Sequence, residues 1–481
     1  MKLSQRYILL LLAALVLGIY YPALFAPLCL TDDYKLILFI TDNKFTWKGI
    51  FLPGDISYYR PLFTLSLWVE QILWMCEESF MHLDNILIHL ANVILIYFVA
   101  LKAQTVLYKQ KNVMAACAAA AVFAVHPLCS ESILWIPARV DPMAAFFIYL
   151  ALLFLMVSLE KQSRGLIFLS MLSLVIGALA KESAFFLPPA FLFTSFSYWR
   201  VKHCVVQGSD TDKPLSLIKI LHSLGIRLTQ VFSWLMMNKF IIFMYSIVPV
   251  IYFVIRRMAS FTRDHGTLAT YSRISKHIDK SAWDPFFLSL KGLGFYLKKI
   301  FIPWPLNFTI VEVSDWYTLF GVLFILMIIY LLWRADLIAS FFIIAIVAVI
   351  PAIIVLIAGI GWTPYAERYL YISVAPLVIG FMLILQSLQK IERYRVLIPV
   401  AIVAIFALTT VNRNILWTDS LAFYKDCVNK APNFYPGLRN YAAALAREGL
   451  QKEASEFRRN NVPVKQNGEL FYSKESSSST K

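Results

Sequence analysis

The chain has 481 residues, of which 59% are apolar and 15% are charged. Typical soluble domains carry about 25% charged residues, and the mean hydropathy here is +0.68. These values exclude a soluble enzyme, a disordered chain and a disulfide-rich secreted scaffold. The net charge of +15 is interpreted as Lys and Arg collecting in cytoplasmic loops, not as a nucleic-acid-binding surface.

The predicted fold class is all-α, a polytopic membrane protein with eleven transmembrane helices. The first apolar run follows Lys2 and Arg6, is too long for a signal-peptide core and lacks a small-x-small cleavage site, which predicts a retained anchor. An odd number of spans places the two termini on opposite sides of the membrane. In chain order, the predicted spans are 7–28, 84–101, 112–127, 142–159, 165–180, 184–199, 238–255, 316–333, 338–358, 369–388 and 396–412.

The distribution of charge between loops predicts the orientation. With the N-terminus inside, the inner segments hold 16 Lys/Arg against 5 Asp/Glu, and the outer loops 29–83, 128–141, 181–183 and 359–368 hold 7 against 11. This positive-inside bias predicts a cytoplasmic N-terminus and an extracytoplasmic C-terminus. The outer segment 256–315 carries nine basic residues, and its stretch 286–302 is typical of a helix lying in the membrane interface.

The chain from Arg413 onward has a different, polar composition. We divide the protein into a membrane domain (1–412), a helical tail (413–465) and a disordered end (466–481). The tail pattern of small and aromatic residues resembles about one and a half tetratricopeptide repeats. Because a solenoid needs about three repeats, we expect the tail to pack on the membrane domain and to offer a surface for a protein partner.

Acidic, cationic and aromatic residues are predicted to meet on the outer side. Asp32-Asp33 follows the first span and is either negative charge outside a helix or the general base of a group transfer. Arg60, Arg139 and Arg368 lie on the same side and either snorkel at the interface or bind a phosphate group. The pair Lys181-Glu182 is either an interface ion pair or a substrate contact.

The second predicted span opens with a polar stripe on one helix face, formed by His82, Asn85, His89 and Asn92. Hydrogen bonding between helices is the favoured interpretation. No cofactor is assigned, and a divalent metal, although an open alternative, is not indicated because no further carboxylate ligand is fixed.

Taken in order, several short motifs resemble the C-type (GT-C) membrane glycosyltransferases. The nearest group has transmembrane and tetratricopeptide-repeat regions and includes protein O-mannosyltransferases and bacterial relatives. The resemblance covers nearly the whole chain, but those mannosyltransferases carry long repeat arrays. The motifs are Asp32-Asp33, Tyr59-Arg60-Pro61-Leu62, His82-x-x-Asn85-x-x-x-His89, Phe123-Ala-Val-His126-Pro127 with Glu131 and Arg139-x-Asp141, Lys181-Glu182, and Glu367-Arg368-Tyr369-Leu-Tyr371.

The resemblance implies an inverting transfer of a hexose, for example mannose, from a polyprenyl-phosphate donor to a hydroxyl of a protein or glycan. By this resemblance Asp32 or Asp33 is the catalytic base. The remaining residues are expected to bind donor phosphate or substrate, or to shape the pocket: Tyr59, Arg60, His126, Glu131, Arg139, Asp141, Lys181, Glu182, Glu367 and Arg368.

Two other functions are weighed against this one. A lipid-linked glycan flippase or transporter is expected to have internal repeats and ionisable groups near the bilayer midplane, whereas here the charges collect at one end of the spans. A non-catalytic scaffold would use the tail for assembly. Short loops favour a bacterial inner membrane; the alternative is the endoplasmic reticulum, where Asn307-Phe308-Thr309 would be a glycosylation sequon.

Overall fold

The computed structural model describes residues 5–42, 45–56, 58–203, 217–260, 263–264, 266, 270–275, 283–388 and 394–461. The predicted all-α class is confirmed. In the described ranges, the strands are two dipeptides, Asp55–Ile56 and Arg263–Asp264, which pair in parallel with Asp55 opposite Arg263.

The first half of the chain is built from helices joined by short turns. In chain order these are α1 (Gln5–Tyr20), α2 (Asp33–Asp42), α3 (Trp47–Phe51), α4 (Pro61–Trp74), α5 (Glu78–Tyr108), α6 (Val113–Ala124), α7 (Ser130–Leu134), α8 (Val140–Lys161), α9 (Arg164–Ala180), α10 (Pro188–His203), α11 (Leu217–Met237) and α12 (Lys239–Ala259).

The second half continues the helical architecture into the tail. Its helices are α13 (Trp283–Phe301), α14 (Tyr317–Arg334), α15 (Leu337–Val347), α16 (Ile350–Ala358), α17 (Tyr371–Ser387), α18 (Tyr394–Thr418), α19 (Ser420–Lys430), α20 (Tyr435–Arg447) and α21 (Gln451–Asn461).

Eight helical segments of the described residues are long and apolar enough to cross a membrane. A ninth candidate combines Val113–Ala124 with Pro127–Leu134, which meet at a bend of 49°. The predicted number of eleven is therefore not confirmed. The eight segments are Gln5–Phe25, Glu78–Tyr108, Ile136–Lys161, Lys239–Ala259, Tyr317–Arg334, Leu337–Ala358, Glu367–Ser387 and Tyr394–Thr418.

Two predicted spans correspond to shorter helices inside the bundle. Helices α9 and α10 have 17 and 16 residues, whereas about 20 apolar residues are needed to cross the hydrocarbon core. A Cβ atom at Gly177 of α9 would lie 3.2 Å from Phe147 of α8, so a small residue allows the two helices to approach closely.

Helix α13, which covers the predicted interfacial stretch 286–302, is not among the candidate spans of the described residues. It crosses α14 at very close range. A Cβ atom at Gly294 would overlap the main-chain oxygen of Tyr317, and one at Gly321 would overlap that of Leu290. Two glycines at the crossing therefore let the helix backbones touch.

The polar stripe of α5 is buried and joins helices by hydrogen bonds, as predicted. Its histidines His82 and His89 bond the carbonyl groups of Ala26 and Ala124, both at 3.1 Å. Asn85 donates to the carbonyl group of Ile133 and Asn92 to that of Pro142, both at 2.9 Å. The stripe thus fixes the neighbours of α5.

The tail begins inside a continuous helix, because the predicted boundary at 412/413 falls within α18. Its first two short helices, α19 and α20, contact the rest of the bundle, as expected. Arg413 lies 3.5 Å from Asp426, the Lys430 ammonium donates to the carbonyl group of Leu306, and the Thr309 hydroxyl donates to that of Cys427. The tetratricopeptide assignment stays a prediction, and the predicted disordered end 466–481 lies outside the described residues.

Candidate functional site

Most of the candidate residues lie in two groups, each of which also contains residues that the sequence did not single out. The first group contains Asp33, Glu70, Asn85 and Arg139. The second group, here called the cation cluster, is built around four cations and three carboxylates: Arg60, Lys181, Arg256, Arg368, Glu131, Asp141 and Glu182.

Asp33 is the buried member of the acidic pair. It opens α2, is 1% exposed, and its Oδ2 accepts a 2.7 Å hydrogen bond from the main-chain N–H of Cys29. Its Oδ1 is buried and has no hydrogen-bond partner among the described residues. Burial raises the pKa of Asp33 to about 8, and the neighbouring Asp32 adds to that shift. Asp32 itself is half-buried, so the structure separates two residues that the sequence treats alike.

The loop that carries Asp33 is held by the C-terminal helices. The Tyr424 hydroxyl accepts a 2.7 Å hydrogen bond from the N–H of Leu30 and lies 3.1 Å from the sulfur of Cys29. The side chain of Asn440 donates to the hydroxyl of Thr31 at 3.3 Å. The tail therefore forms one wall of the site, which sequence reasoning missed.

Arg139 is enclosed by protein groups. Its guanidinium is 1% exposed and donates to Glu70 at 2.5 Å, to the side chain of Asn85 at 2.7 Å and to the carbonyl group of Met81 at 2.8 Å. Burial raises the pKa of Glu70 to about 7, although Arg139 opposes the shift. In this arrangement Arg139 ties α4 to α5 and also contributes to the wall of a groove, and its contact with a donor phosphate stays a prediction.

Arg60 is the accessible part of the cation cluster. It precedes α4, and its side chain is 25% exposed. It donates to Glu182 from Nε at 3.1 Å and from a terminal nitrogen at 2.9 Å, and it lies 4.8 Å from the ring of Tyr58. Burial alone would raise the pKa of Glu182, but Arg60 and Arg256 hold it below its ordinary value. Arg256, at the end of α12, lies 3.9 Å from the same carboxylate.

Lys181 and Asp141 form the centre of the cluster. The Lys181 ammonium donates to Asp141 Oδ1 at 2.5 Å and lies 5.2 Å from the ring of Tyr369. Burial lowers the pKa of Lys181, and the cations Arg60 and Arg368 lower it further against the opposing effect of Asp141. The second oxygen of Asp141 is buried and accepts no hydrogen bond from the part of the chain that the structure describes.

Arg368 connects the cluster to the loop between α6 and α8. It donates to Glu131 at 2.6 Å and stacks on the rings of Trp135 and Tyr369 at 4.8 and 4.7 Å. Glu131 and Trp135 belong to the segment 130–139 that also carries Arg139. This segment therefore lies between the two groups and sets their relative position.

Three further candidates have structural roles. The Tyr59 hydroxyl donates to the carbonyl group of Phe51 at 3.0 Å, and the His126 imidazole accepts from the N–H of Leu128 at 3.3 Å. Glu367 is buried, pairs with Lys299 at 2.5 Å and accepts from the N–H of Asn307 at 2.9 Å. The partners in these contacts are not members of the cation cluster.

An apolar groove of about 570 Å³ opens between α4, α5 and α8, and Arg139 and Asp84 are the charged residues among its walls. Leu62, two residues after Arg60, is one of its walls. The other walls include Leu65, Val69, Leu87, Ile88 and Phe146. Phe147 of the same groove lies beside Gly177 of α9, the helix that precedes Lys181.

Several residues of the site carried no usable signal in the sequence. Glu70 and Arg256 lie within helices α4 and α12. From the sequence, both residues fall in segments that are predicted to be outer loops, 29–83 and 256–315. Tyr424 and Asn440 lie almost 400 residues from the loop they contact. Among the residues that the structure describes, no group of three or more His, Cys, Asp or Glu side chains could hold a metal ion.

Comparison with known proteins adds no family. The chain matches no protein-family model, no curated protein and no solved structure.

Proposed function

We propose that the protein is a membrane glycosyltransferase that moves a hexose from a polyprenyl-phosphate donor to a hydroxyl group of a protein or glycan. The observation that carries the proposal is the cation cluster, whose Arg60 is partly exposed and stands two residues before Leu62, a wall of the apolar groove. A ligand with an anionic head and a long apolar chain matches both features.

The donor phosphate is assigned to Arg60 and its neighbours. Arg60 is the most accessible cation of the cluster, and a guanidinium binds two phosphate oxygens with parallel hydrogen bonds. Arg256 lies 3.9 Å from the Glu182 carboxylate that Arg60 also contacts, and Lys181 adds positive charge from its pair with Asp141. The first isoprene units of the donor would then occupy the groove lined by Leu62 and Ile88.

The proposed base is Asp33. As the acceptor oxygen bonds to the anomeric carbon, the bond from that carbon to the phosphate oxygen breaks and the polyprenyl phosphate leaves with the electron pair. Asp33 Oδ1 takes the proton of the acceptor hydroxyl. A positioned base of this kind typically contributes about 10² to 10⁴ in rate. The attack from the face opposite the leaving group inverts the configuration.

The proposed location follows from the charge distribution. The cluster lies on the outer side in the predicted orientation, which puts the reaction in the periplasm of a bacterial cell, or in the lumen for an endoplasmic reticulum protein. A lipid-linked donor suits that side, because such donors stay in the membrane and need no nucleotide-binding loop.

Sugar transfer is tested with the purified full chain in nanodiscs. Radiolabelled polyprenyl-phosphate mannose and glucose are supplied with a pool of glycans and peptides, and release of polyprenyl phosphate is measured. We expect turnover by the wild type and its loss in Asp33→Asn with donor binding retained. A wild type that binds neither donor would refute the proposal and favour the scaffold.

A further inference from the structure

A polar cavity lies at the opposite end of the bundle from the cation cluster. Its volume is about 310 Å³, and it is lined by the ends of α8 and α10 and the starts of α9 and α12. Asp141 of the cation cluster and Ser158 of the cavity are 17 residues apart on α8, which corresponds to about 25 Å at 1.5 Å per residue. The cavity is therefore distinct from the proposed catalytic site.

The charge lining the cavity has one sign. Arg164, Lys202 and His203 are among its lining residues, and within the described part of the chain no carboxylate is among them. The three basic residues come from two different helices, α9 and α10. Arg164 lies 5.6 Å from the ring of Phe240, so its guanidinium is held at the start of α12.

Main-chain donors at the start of α12 add to this positive field. The side chain of Asn238 does not cap the helix; it donates instead to the carbonyl group of Trp234 at 2.9 Å. The first turn of a helix has N–H groups without intrahelical partners, and they favour an anion. The indole N–H of Trp199, another lining residue, is also buried and has no acceptor within the described ranges.

The apolar part of the cavity adjoins exposed apolar side chains. Ile167, Met237 and Ile241 contribute to the lining, and the adjacent Phe168 and Phe243 are exposed on the outside of the same helices. A Tyr and a Trp at the rim, Tyr198 and Trp199, are typical of the level of lipid headgroups. Polar donors thus adjoin a lipid-facing surface.

We infer that this cavity binds the headgroup of a net-negative phospholipid, with its phosphate between Arg164, Lys202 and the start of α12. The predicted orientation places the cavity on the cytoplasmic side, where anionic lipids attract basic segments. The inference does not depend on the proposed sugar transfer. An inorganic phosphate would satisfy the same donors, and the experiment separates the two ligands.

The test is native mass spectrometry of the purified full chain in detergent, titrated with phosphatidylglycerol or phosphatidylcholine. We expect the first phosphatidylglycerol to bind more tightly than phosphatidylcholine. Arg164→Ala and Lys202→Ala should each weaken phosphatidylglycerol binding about fivefold, because one basic residue near a lipid surface contributes about that factor. Arg164→Lys should keep most of the affinity.

The matched control is Lys161→Ala, which removes an exposed cation from the last turn of α8 that does not line the cavity. Equal losses in Lys161→Ala and Lys202→Ala would show that lipid covers this end of the bundle without a specific site. Displacement of phosphatidylglycerol by millimolar inorganic phosphate would assign the cavity to a soluble phosphate. Either result overturns the inference, and neither depends on any measurement of sugar transfer.

Discussion

The hydroxyl group of Tyr424, in the C-terminal helices, accepts a hydrogen bond from the main-chain N–H of Leu30 at 2.7 Å. One residue earlier, the N–H of Cys29 donates to the carboxylate of Asp33. Two consecutive amide groups therefore connect the tail to the proposed base. The tail is part of the site and not only a surface for recruiting a partner.

Replacing Tyr424 by Phe removes one acceptor and keeps the ring. We expect faster hydrogen exchange in the peptide that contains Leu30, because its N–H loses its partner. Turnover should fall about tenfold or more, since small misplacements of catalytic groups cost up to about 10² in rate. Donor binding should stay unchanged, because Arg60 belongs to the other group of residues.

The control for this change is Tyr441→Phe in the same tail. The Tyr441 ring packs on Phe457 at 4.9 Å between centroids, and no hydrogen bond of its hydroxyl to the membrane part is found in the described residues. Equal exchange in Tyr424→Phe and wild type would show that the tail does not hold the loop. Faster exchange together with wild-type turnover would show that Tyr424 holds the loop but does not position Asp33 for transfer.

The pH dependence of transfer should reveal the protonation of Asp33. Because burial raises its pKa to about 8, the carboxyl is mostly protonated at pH 7 and becomes a base only as pH rises. We expect kcat/KM to increase with pH and to level off above about 8. Asp33→Asn should lose transfer at every pH.

Asp32→Asn serves as the paired variant, because Asp32 adjoins Asp33 and raises its pKa. Removing that negative charge should move the midpoint of the pH profile to lower pH while keeping turnover. If Asp32→Asn abolishes transfer and Asp33→Asn retains it, the base is the half-buried residue of the pair.

The same burial predicts a stability effect that needs no assay of transfer. The pKa of Asp33 is raised from its ordinary value of 3.8 to about 8, so the folded state holds a proton that the unfolded state releases between these values. The contribution of Asp33 to stability is therefore fully present below about pH 4 and is lost as pH rises to about 8. Because Asn carries no titrating proton, Asp33→Asn should not show this loss of stability at high pH.

Thermal unfolding at pH 5 and pH 9 measures the effect. Asp33→Asn should be more stable than wild type at pH 9 by an amount on the order of a few kcal/mol, with a smaller difference at pH 5. Titrations of other groups, including Glu70, are shared by both proteins and cancel in the comparison. An equal difference at both pH values would contradict the raised pKa of Asp33.

Much of the architecture could be predicted from periodicity and composition alone. The polar stripe of α5 was correctly predicted to join helices, because buried amide and imidazole groups need partners. The number of spans could not be predicted in the same way. Apolar runs at 165–180 and 184–199 are typical of transmembrane helices, yet their helices have 17 and 16 residues because Lys181 to Leu187 form a short turn between them.

The site was predictable as a list of residues but not as a set of contacts. Sequence places Arg60, Arg139 and Arg368 on one side and cannot tell which of them faces a ligand. That depends on Glu70 and Asn85, which surround Arg139, and on Glu182, which leaves Arg60 partly exposed. Partners so distant in the chain are decided by packing, which one sequence does not reveal.

The last prediction separates Arg139 from Arg60. Arg139→Ala leaves Glu70 as a buried carboxylate without its partner, and breaking such a pair typically costs about 3–5 kcal/mol. Its main consequence should be a lower unfolding temperature and poor yield. Arg60→Ala removes a partly exposed ion pair, for which about 1 kcal/mol is typical, and should leave the fold intact.

Donor binding should respond in the opposite order. Arg60→Ala should weaken binding of the polyprenyl-phosphate sugar about tenfold or more, and Arg60→Lys should restore only part of it, because an ammonium cannot bind two phosphate oxygens in a fork. Arg139→Ala that still folds should bind the donor nearly as the wild type does. Both quantities are measured on the same nanodisc samples, by thermal unfolding and by equilibrium binding of labelled donor. If Arg139→Ala folds stably but binds the donor weakly, Arg139 contacts the donor phosphate and the assignment to Arg60 is wrong.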